Sequence, residues 1–379
     1  MSQGITASWE ESRLRVILTG GGTGGHIYPA LALARYLKKV NPGAEILFVG
    51  ASGGMEEKII PESGFRLITL PVRGLPRRLN LHLLKTFYML GKSSTLAREI
   101  IEEFRPDFVV GTGGYAAAPI ILAALFQRKK VIIHEQNVIP GVTNRLVAPW
   151  VFKVCLSFEA SRKYFLKRSN LCVTGNPRAS EVGHLEKKTA RQILNMDVNL
   201  PFLLAVGGSR GAARLNQSMV EFLLRASGNK NVQILYITGE IYYEEIMARL
   251  KASKIMEIYG GRLQVRPYQQ EMSLALAAAD LVITRAGATT LAEITALGIP
   301  AIIIPSPNVV HNHQMVNARE LSRQEAAVVI EEENLSGQAL QEEVYALLQN
   351  PARLVQMQEN CNKLGYPEAS GNIYKLMLL

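Results

Sequence analysis

Two glycine-rich segments of this 379-residue chain have the composition and position of phosphate-binding loops. The first, GGGTGGH at residues 20–26, follows an apolar run at 14–19, and the second, GGSRG at 207–211, follows an apolar run at 202–206. Apolar residues at helical spacing continue from each loop. The loop N–H groups therefore lie at the positive end of a helix dipole, where an anion binds, and glycine lets the ligand approach the backbone. This chemistry suits a phosphate or diphosphate in each half of the chain.

The elements that position these loops alternate between strand and helix. This alternation predicts an α/β protein of two Rossmann-like domains whose parallel sheets face a central cleft that holds the ligand. Nine strands are predicted, at 14–19, 46–50, 108–111, 130–134, 152–156, 202–206, 233–238, 281–284 and 301–304. The predicted organisation is a disordered tail (1–12), a first domain (13–175), a second domain (176–345) and C-terminal helices that return to the first domain (346–379).

The other strand ends carry glycine, hydroxyl and charged residues that are expected to line the ligand crevice. These loops lie at 50–54, 111–115, 134–137, 239 and 285–290, the last of which leads to Glu293. The GxGxxG spacing at 20–25 matches the dinucleotide fingerprint, but the second strand ends without the acid that binds a ribose, so NAD is disfavoured. The chain has three isolated aspartates and hence no DxD metal motif, and His311-Asn-His313 fits a polar loop better than a metal site.

Cysteine usage and hydropathy indicate a reducing compartment and no membrane-spanning helix. Cys155, Cys172 and Cys361 form no CxxC pair, which argues against a disulfide framework and a structural zinc site. Residues 1–12 are polar and do not resemble a secretory signal. The longest uncharged stretch, 108–127, is interrupted by glycines and a proline, so it is interpreted as a strand, a loop and a buried helix.

The net charge of +10 comes from the first half of the chain. Residues 1–178 hold 24 Lys and Arg against 12 Asp and Glu, whereas the remainder holds 18 against 20. No acid occurs from 63 to 98, where basic residues mix with bulky apolar ones, a composition that suits an anionic membrane surface. A packed helix with a solvated basic face is the alternative, and nucleic acid is disfavoured because few aromatic residues are present for stacking. The predicted membrane patch is Arg73, Arg77, Arg78, Leu79, Leu84, Lys85, Phe87 and Tyr88.

Seven motifs occur in an order that resembles the MurG family of N-acetylglucosaminyltransferases. They are GGGTGGH, GTGGYAAAP, HEQN, TGNP, GGSRGA, RAGATTLAE and HNHQ. The resemblance implies a GT-B fold and an inverting transfer of GlcNAc from UDP-GlcNAc to the 4-hydroxyl of the muramoyl sugar of lipid I, which gives lipid II. It assigns the acceptor and the membrane to the first domain and UDP-GlcNAc to the second. It also implies no metal, no cofactor and no nucleic acid, a peripheral place on the cytoplasmic face of the bacterial cell membrane, and contacts with other cell-wall synthesis proteins.

The same resemblance implies roles for individual residues. Contacts with the donor diphosphate and sugar fall on Thr23, Gly24, Gly25, Asn137, Ser209 and Gln314, and acceptor or phosphate contacts fall on Gly113, Gly114 and Tyr115. Nucleotide contacts fall on Ala288, Thr289, Thr290, Leu291, Ala292 and Glu293, whose carboxylate binds the ribose diol, and on the backbone near Gln269. As alternatives, Glu293 favours the helix N-terminus electrostatically and Asn137 caps a turn. Arg178, a further expected nucleotide contact, departs from the family pattern, since many members read GNPVR and this chain reads GNPRA.

Two residues are candidates for the catalytic base of such a transfer. His26 and Glu135 each carry a group that can accept a proton from the acceptor hydroxyl. The alternatives are that His26 caps its helix and touches phosphate, and that Glu135 orients a neighbouring loop.

Three other functions remain open from the sequence, namely a UDP-GlcNAc epimerase, a transferase with a soluble acceptor and a nucleotide-sugar-binding regulator. The basic stretch at 63–98 favours a lipid acceptor over a soluble one.

Overall fold

A computed structural model describes residues 14–72, 82–166, 170–182, 186–208, 211–226 and 231–379, with the backbone alone at 82–92 and 310. The predicted tail at 1–12 lies outside the described residues. So do Ser209 and four residues of the predicted membrane patch, which are Arg73, Arg77, Arg78 and Leu79. For the other four patch residues only the backbone is described; they are Leu84, Lys85, Phe87 and Tyr88.

The first of two structural units is built on a seven-stranded sheet in which every paired neighbour is parallel. Its strands are β1 (Arg15–Thr19), β2 (Glu45–Ala51), β3 (Arg66–Leu70), β4 (Phe108–Gly111), β5 (Lys130–Glu135), β6 (Lys153–Leu156) and β7 (Leu171–Val173), in the order β3-β2-β1-β4-β5-β6-β7. Its first helices are α1 (Gly24–Val40), α2 (Glu56–Glu62), α3 (His82–Phe104), α4 (Ala118–Phe126) and α5 (Val142–Val147).

Alternate residues of these strands pack on opposite faces of the sheet. On β1, Ile17 belongs to a core cluster shared with Ala97 of α3 and Ile121 of α4. Val16 belongs to a second cluster, shared with Ile27 of α1. Both faces are therefore covered by helices, which is why the strands are apolar runs without polar alternation.

The second unit has a six-stranded sheet, again with parallel pairing throughout. Its strands are β8 (Phe202–Val206), β9 (Gln233–Ile237), β10 (Leu263–Arg266), β11 (Leu281–Thr284), β12 (Ala301–Ile303) and β13 (Ala327–Val329), in the order β10-β9-β8-β11-β12-β13. Its helices are α6 (Ala179–Val182), α7 (Lys187–Ile193), α8 (Ala213–Arg225), α9 (Glu240–Ala252), α10 (Ile255–Tyr259), α11 (Met272–Ala278), α12 (Ala288–Leu297), α13 (His313–Arg323), α14 (Gly337–Leu348) and α15 (Pro351–Leu364).

These two sheets confirm the predicted α/β class with parallel strands, and all nine predicted strands are present. The sequence analysis missed β3, β7, β10 and β13. Each of the four lies at an edge of its sheet and pairs with a single strand. An edge strand is less enclosed, so its sequence is shorter or more mixed than that of a central strand, as in the half-buried RLITL of β3.

The boundary between the units differs from the predicted one at the C-terminus. The first unit comprises Met1–Arg178 with Glu368–Leu379, and the second comprises Ala179–Pro367. Of the segment predicted to return, α15 instead packs on α12, as shown by the close approach of Asn362 to Gly298. The last helix, α16 (Ala369–Met377), joins the first unit by burying its apolar side against α1.

Candidate active site

In the first unit, the loops that follow β1 and β4 touch through their backbones. The Thr112 hydroxyl donates to the carbonyl oxygen of His26 at 2.7 Å. A Cβ on Gly114 would lie 2.4 Å from the carbonyl oxygen of Gly21, so no side chain fits there. Gly114 also has a φ of +84°, a conformation that favours glycine. The structure thus brings two of the predicted loops together.

The N-terminus of α1 offers hydrogen-bond donors beside this contact. Thr23 is the N-cap residue, but its side chain makes no capping bond to the helix. The N–H groups of Gly24 and Gly25 lie in the first turn, which has no carbonyl partner within the helix. Tyr115 is 41% exposed and its ring lies beside Gly22, where an added Cβ would be 3.1 Å away. This geometry suits an anion, and the contacts assigned to Thr23, Gly24 and Gly25 stay predictions.

His26 is held in a defined tautomer by the second loop. Its Nδ1 lies 3.0 Å from the carbonyl oxygen of Thr112. A carbonyl only accepts, so Nδ1 carries the hydrogen and Nε2 of the neutral ring carries the lone pair. The side-chain amide of Gln136 donates to the same carbonyl oxygen. This tautomer is the one that a proton acceptor at Nε2 requires, although the catalytic role of His26 stays a prediction.

Glu135, the other candidate base, is buried and accepts hydrogen bonds at both oxygens. Its Oε1 accepts from the N–H of Asn137 at 3.0 Å. Its Oε2 accepts from the N–H of Gly141 at 3.0 Å and from the Asn144 side chain at 2.8 Å. Burial raises the pKa of Glu135, while these hydrogen bonds act in the opposite direction. The arrangement favours the alternative that Glu135 orients its neighbouring loop, which includes the predicted sugar contact Asn137.

His134 connects the end of β5 to the segment that links the two sheets in sequence. Its Nε2 donates to the carbonyl oxygen of Gly175 at 3.0 Å. Its Nδ1 is buried, and no described residue forms a hydrogen bond with that atom. Burial lowers the pKa of His134 to about 4, so the ring is neutral at pH 7.

Arg178 lies beside the first glycine-rich loop. Its guanidinium carbon stands 5.7 Å from the centre of the Tyr28 ring, within the range of a cation–π contact. The Tyr28 ring in turn packs on Gly24, where an added Cβ would be 3.0 Å away. The observed contact is therefore made within the first unit, and the nucleotide contact expected of Arg178 stays a prediction.

In the second unit, polar side chains fix the loops after β11 and β12. Arg285 donates to the carbonyl oxygen of Ile304 at 3.2 Å and pairs with Glu332. The side-chain oxygen of Gln314 accepts from the N–H of Ser306 at 2.9 Å. Gln314, on α13, therefore holds the loop after β12, and the sugar contact predicted for Gln314 stays a prediction.

The predicted nucleotide segment 288–293 forms the first turns of α12, in which Glu293 is 6% exposed. Glu293 lies beyond the first turn, where a helix dipole acts weakly, so the electrostatic alternative for this residue is not supported. Gln269 is also buried, and its side-chain oxygen accepts from Arg266 at 2.6 Å. The backbone contact with uracil expected near Gln269 stays a prediction.

Sequence reasoning missed three residues of the first-unit site, namely Glu56, Thr112 and Gln136. Thr112 and Gln136 stand inside motifs that were singled out, but their bonds reach other loops and leave no mark in the sequence. Glu56 is buried and accepts a hydrogen bond from Gly22. Nothing in the sequence distinguishes it from the adjacent Glu57.

The uncharged stretch 108–127 forms β4, a loop and α4, as predicted. None of the helices in the described ranges is long and apolar enough to cross a membrane. Over those same ranges, no three His, Cys, Asp or Glu side chains are grouped in a way that could hold a metal ion. The three cysteines are free, and two of them are buried.

Two family models match most of the chain. The glycosyltransferase family 28 N-terminal domain matches residues 16–156, and the family 28 C-terminal domain matches residues 202–373. The chain is 43% identical to the UDP-N-acetylglucosamine--N-acetylmuramyl-(pentapeptide) pyrophosphoryl-undecaprenol N-acetylglucosamine transferase of Caldanaerobacter subterraneus subsp. tengcongensis. That match covers 96% of this chain and 99% of the relative.

Two solved structures resemble this chain over most of its length. The crystal structure of Acinetobacter baumannii MurG is 26% identical, with a TM-score of 0.76, over 96% of this chain and 99% of that one. The UDP-GlcNAc 2-epimerase of Neisseria meningitidis, solved with UDP-GlcNAc bound, has a TM-score of 0.68 at 14% identity, over 97% of this chain and all of that one. The second likeness shows a shared fold alone.

The lowered pKa of His134 predicts a loss of stability in acid. The pKa of His134 is 6.5 in the unfolded chain and about 4 in the folded protein. Between these two pH values, the unfolded chain binds a proton that the folded chain does not. The free energy of unfolding should therefore fall by roughly 3 kcal/mol across this window. Denaturant unfolding at a series of pH values should show a smaller fall in His134→Gln than in the natural chain. His311→Gln, at an exposed histidine, controls for the loss of any imidazole, and equal pH dependence in all three proteins would contradict the prediction.

Proposed function

Because the chain belongs to glycosyltransferase family 28, we propose that it transfers N-acetylglucosamine from UDP-GlcNAc to lipid I and so makes lipid II. The acceptor is undecaprenyl diphosphate that carries N-acetylmuramic acid with its pentapeptide. The observation that carries the proposal is the 43% identity, over 96% of the chain, to a transferase named for this reaction. The two family models span both glycine-rich loops, since they match residues 16–156 and 202–373.

The reaction joins O4 of the muramoyl sugar to C1 of GlcNAc. The bond from C1 to the β-phosphate oxygen breaks, and UDP leaves with the electron pair. Attack from the opposite side inverts the anomeric carbon. His26 takes the proton of the 4-hydroxyl, a role supported by the lone pair that its tautomer places on Nε2. General base catalysis of this kind contributes about 10²–10⁴ in rate.

The charge that develops on UDP is stabilised by N–H groups at helix N-termini, without a metal ion. The uncapped first turn of α1 supports this for the first unit. In the second unit, α12 begins directly after the loop that Arg285 fixes, and the Glu293 carboxylate accepts hydrogen bonds from the ribose diol. Glu135 keeps the loop of Asn137 in place for the sugar hydroxyls.

The first unit also carries a surface suited to a membrane. The elements α3, α4 and the segment 142–151 pack on one core cluster and so cover the same face of the sheet. Large apolar side chains are exposed on the outside of this cover, among them Leu122, Phe126, Leu146 and Trp150, and exposed Arg128 and Arg145 lie in the same elements or next to them. The acid-free stretch at 63–98 leads into α3. These features support peripheral attachment to the cytoplasmic face of the cell membrane.

A transfer assay tests the function directly. Purified protein is mixed with radiolabelled UDP-GlcNAc and a lipid I analogue, and the products are separated by chromatography. Labelled disaccharide should form, and it should still form in excess EDTA with a soluble acceptor analogue. Release of UDP without labelled acceptor, or interconversion of UDP-GlcNAc with its epimer, would favour an epimerase or another activity. Mg²⁺-reversible loss of activity in EDTA would contradict the metal-free mechanism.

Replacement of Glu293 should weaken donor binding more than it slows the chemical step. In Glu293→Ala the ribose diol loses charge-assisted hydrogen bonds worth roughly 1.5–3 kcal/mol, or about ten- to a hundred-fold in affinity. Isothermal titration with UDP alone measures the loss. Glu244→Ala, at an exposed carboxylate of the same unit, is the matched control and should bind UDP normally. Unchanged UDP affinity in a folded Glu293→Ala variant would remove Glu293 from the nucleotide site.

Charge reversal in the basic segment should release the protein from anionic membranes. Each basic side chain near such a surface contributes about 1 kcal/mol, screened by salt. The triple variant Arg77→Glu, Arg78→Glu, Lys85→Glu should therefore float poorly with anionic liposomes, while its affinity for UDP-GlcNAc is retained. The control Lys188→Glu, Arg249→Glu, Lys251→Glu has the same net charge, but its changes lie on the exposed surface of the second unit. Equal flotation of the natural chain and the first variant would show that the segment is a helix with a solvated basic face.

A further inference from the structure

We propose that Glu56 is a positioning residue that holds the first glycine-rich loop in the shape that binds the phosphate. The inference rests on the proposed function for the ligand of that loop. Glu56 is the first residue of α2 and follows the loop at the end of β2. It is 1% exposed, so it acts on the ligand through the loop and not by contact.

The Glu56 carboxylate connects two loops by bonds to their backbones. Its Oε1 accepts from the N–H of Ala51 at 2.9 Å, at the end of β2. Its Oε2 accepts from the N–H of Gly22 at 3.1 Å, in the middle of the loop after β1. Each oxygen is thus used to fix one loop relative to the other, and hydrogen bonds to a charged acceptor are among the stronger ones in proteins.

Three glycines leave the space that the carboxylate occupies. An added Cβ would lie 2.1 Å from Glu56 Oε1 at Gly21, 2.3 Å from Oε2 at Gly54 and 2.7 Å from Cγ at Gly50. These distances are shorter than any normal contact, so no side chain can replace the glycine hydrogens while Glu56 stays in place. Glycine is therefore required at these three positions for Glu56 to occupy its place.

The Glu56 carboxylate is removed from water, and its hydrogen bonds must offset that cost. The hydrogen bonds from the N–H groups of Ala51 and Gly22 compensate for the burial of this carboxylate, which would be costly without them. The hydrogen bond from Gly22 to Glu56 fixes the conformation of the first loop, because it directs the Gly22 N–H toward the buried carboxylate. The first-turn donors of Gly24 and Gly25 follow directly in sequence and are held at the N-terminus of α1.

Glu56→Gln tests this role with little change in size. Its amide can accept only one of the two hydrogen bonds, and its NH₂ group then faces a backbone N–H, which leaves a buried donor unpaired. We expect kcat/KM for transfer to fall about ten- to a hundred-fold. The affinity for UDP should fall by a smaller factor, because the first loop contacts only the diphosphate and the ribose contact assigned to Glu293 of the second unit is kept. Glu57→Gln is the matched control, because it removes the same charge from the same helical turn at an exposed position.

Hydrogen exchange of the peptide that spans residues 20–26 gives a readout that does not depend on catalysis. Exchange in this peptide should be faster in Glu56→Gln than in the natural chain or in Glu57→Gln. Unchanged exchange together with unchanged kcat/KM would overturn the inference. A lower melting temperature with normal kcat/KM below it would also overturn it, since that is the result of a purely structural role.

Gly54→Ala provides a second variant in case Glu56→Gln does not fold. Its methyl group would displace the carboxylate, so it should reproduce the loss of activity and the faster exchange. Combined with Glu56→Gln, it should add less than its own separate effect, because both changes act on the same bond. Additive effects would show that Gly54 does not act through Glu56. Absence of transfer by the natural chain and by Glu57→Gln would instead reject the proposed function, whereas the exchange comparison still tests the positioning role.

Discussion

The close approach of two loop backbones in the first unit is the constraint on which the rest of its site depends. A side chain at Gly114 would collide with the carbonyl oxygen of Gly21, so the loops after β1 and β4 touch only because glycine stands there. This contact brings the Thr112 carbonyl oxygen within reach of both His26 and Gln136. The tautomer of the proposed base His26 therefore depends on the absence of a side chain at Gly114, which lets the Thr112 loop come close enough to bond to the imidazole.

Several buried side chains near this contact form hydrogen bonds with backbone groups of the surrounding loops. Glu56 and Glu135 accept from loop N–H groups, and His134 donates to a carbonyl oxygen of the linking segment. Leaving a buried polar group without a partner costs free energy. The loop conformation that provides the hydrogen bond is therefore favoured over others. Loops held in this way need little further ordering when a ligand binds, which preserves affinity and orientation for the reaction.

The two units use one strand–loop–helix plan for different chemistry. In the second unit, Gly211 comes so close to the Thr238 carbonyl oxygen that an added Cβ would lie 2.4 Å from it, which repeats the constraint of the first loop. Its neighbouring loops are held by Arg285 and Gln314, and the buried carboxylate of Glu293 stands on α12. The basic excess is confined to the first half of the chain. Under the proposed function, the lipid acceptor and the proton belong to the first unit, whereas the ribose and uracil of the donor belong to the second.

The sequence by itself determined the two parallel sheets, their nine central strands and the glycine-rich loops, because strands buried on both faces appear as continuous apolar runs bounded by glycine. It did not reveal the four edge strands or the return of only the last helix to the first unit. The tertiary structure alone distinguished Glu56 from Glu57 and showed both oxygens of Glu135 engaged by its own loop. The bond from Gly22 to Glu56 joins residues 34 positions apart. Such a bond depends on which strands lie side by side, and unlike burial it leaves no periodic pattern along the chain.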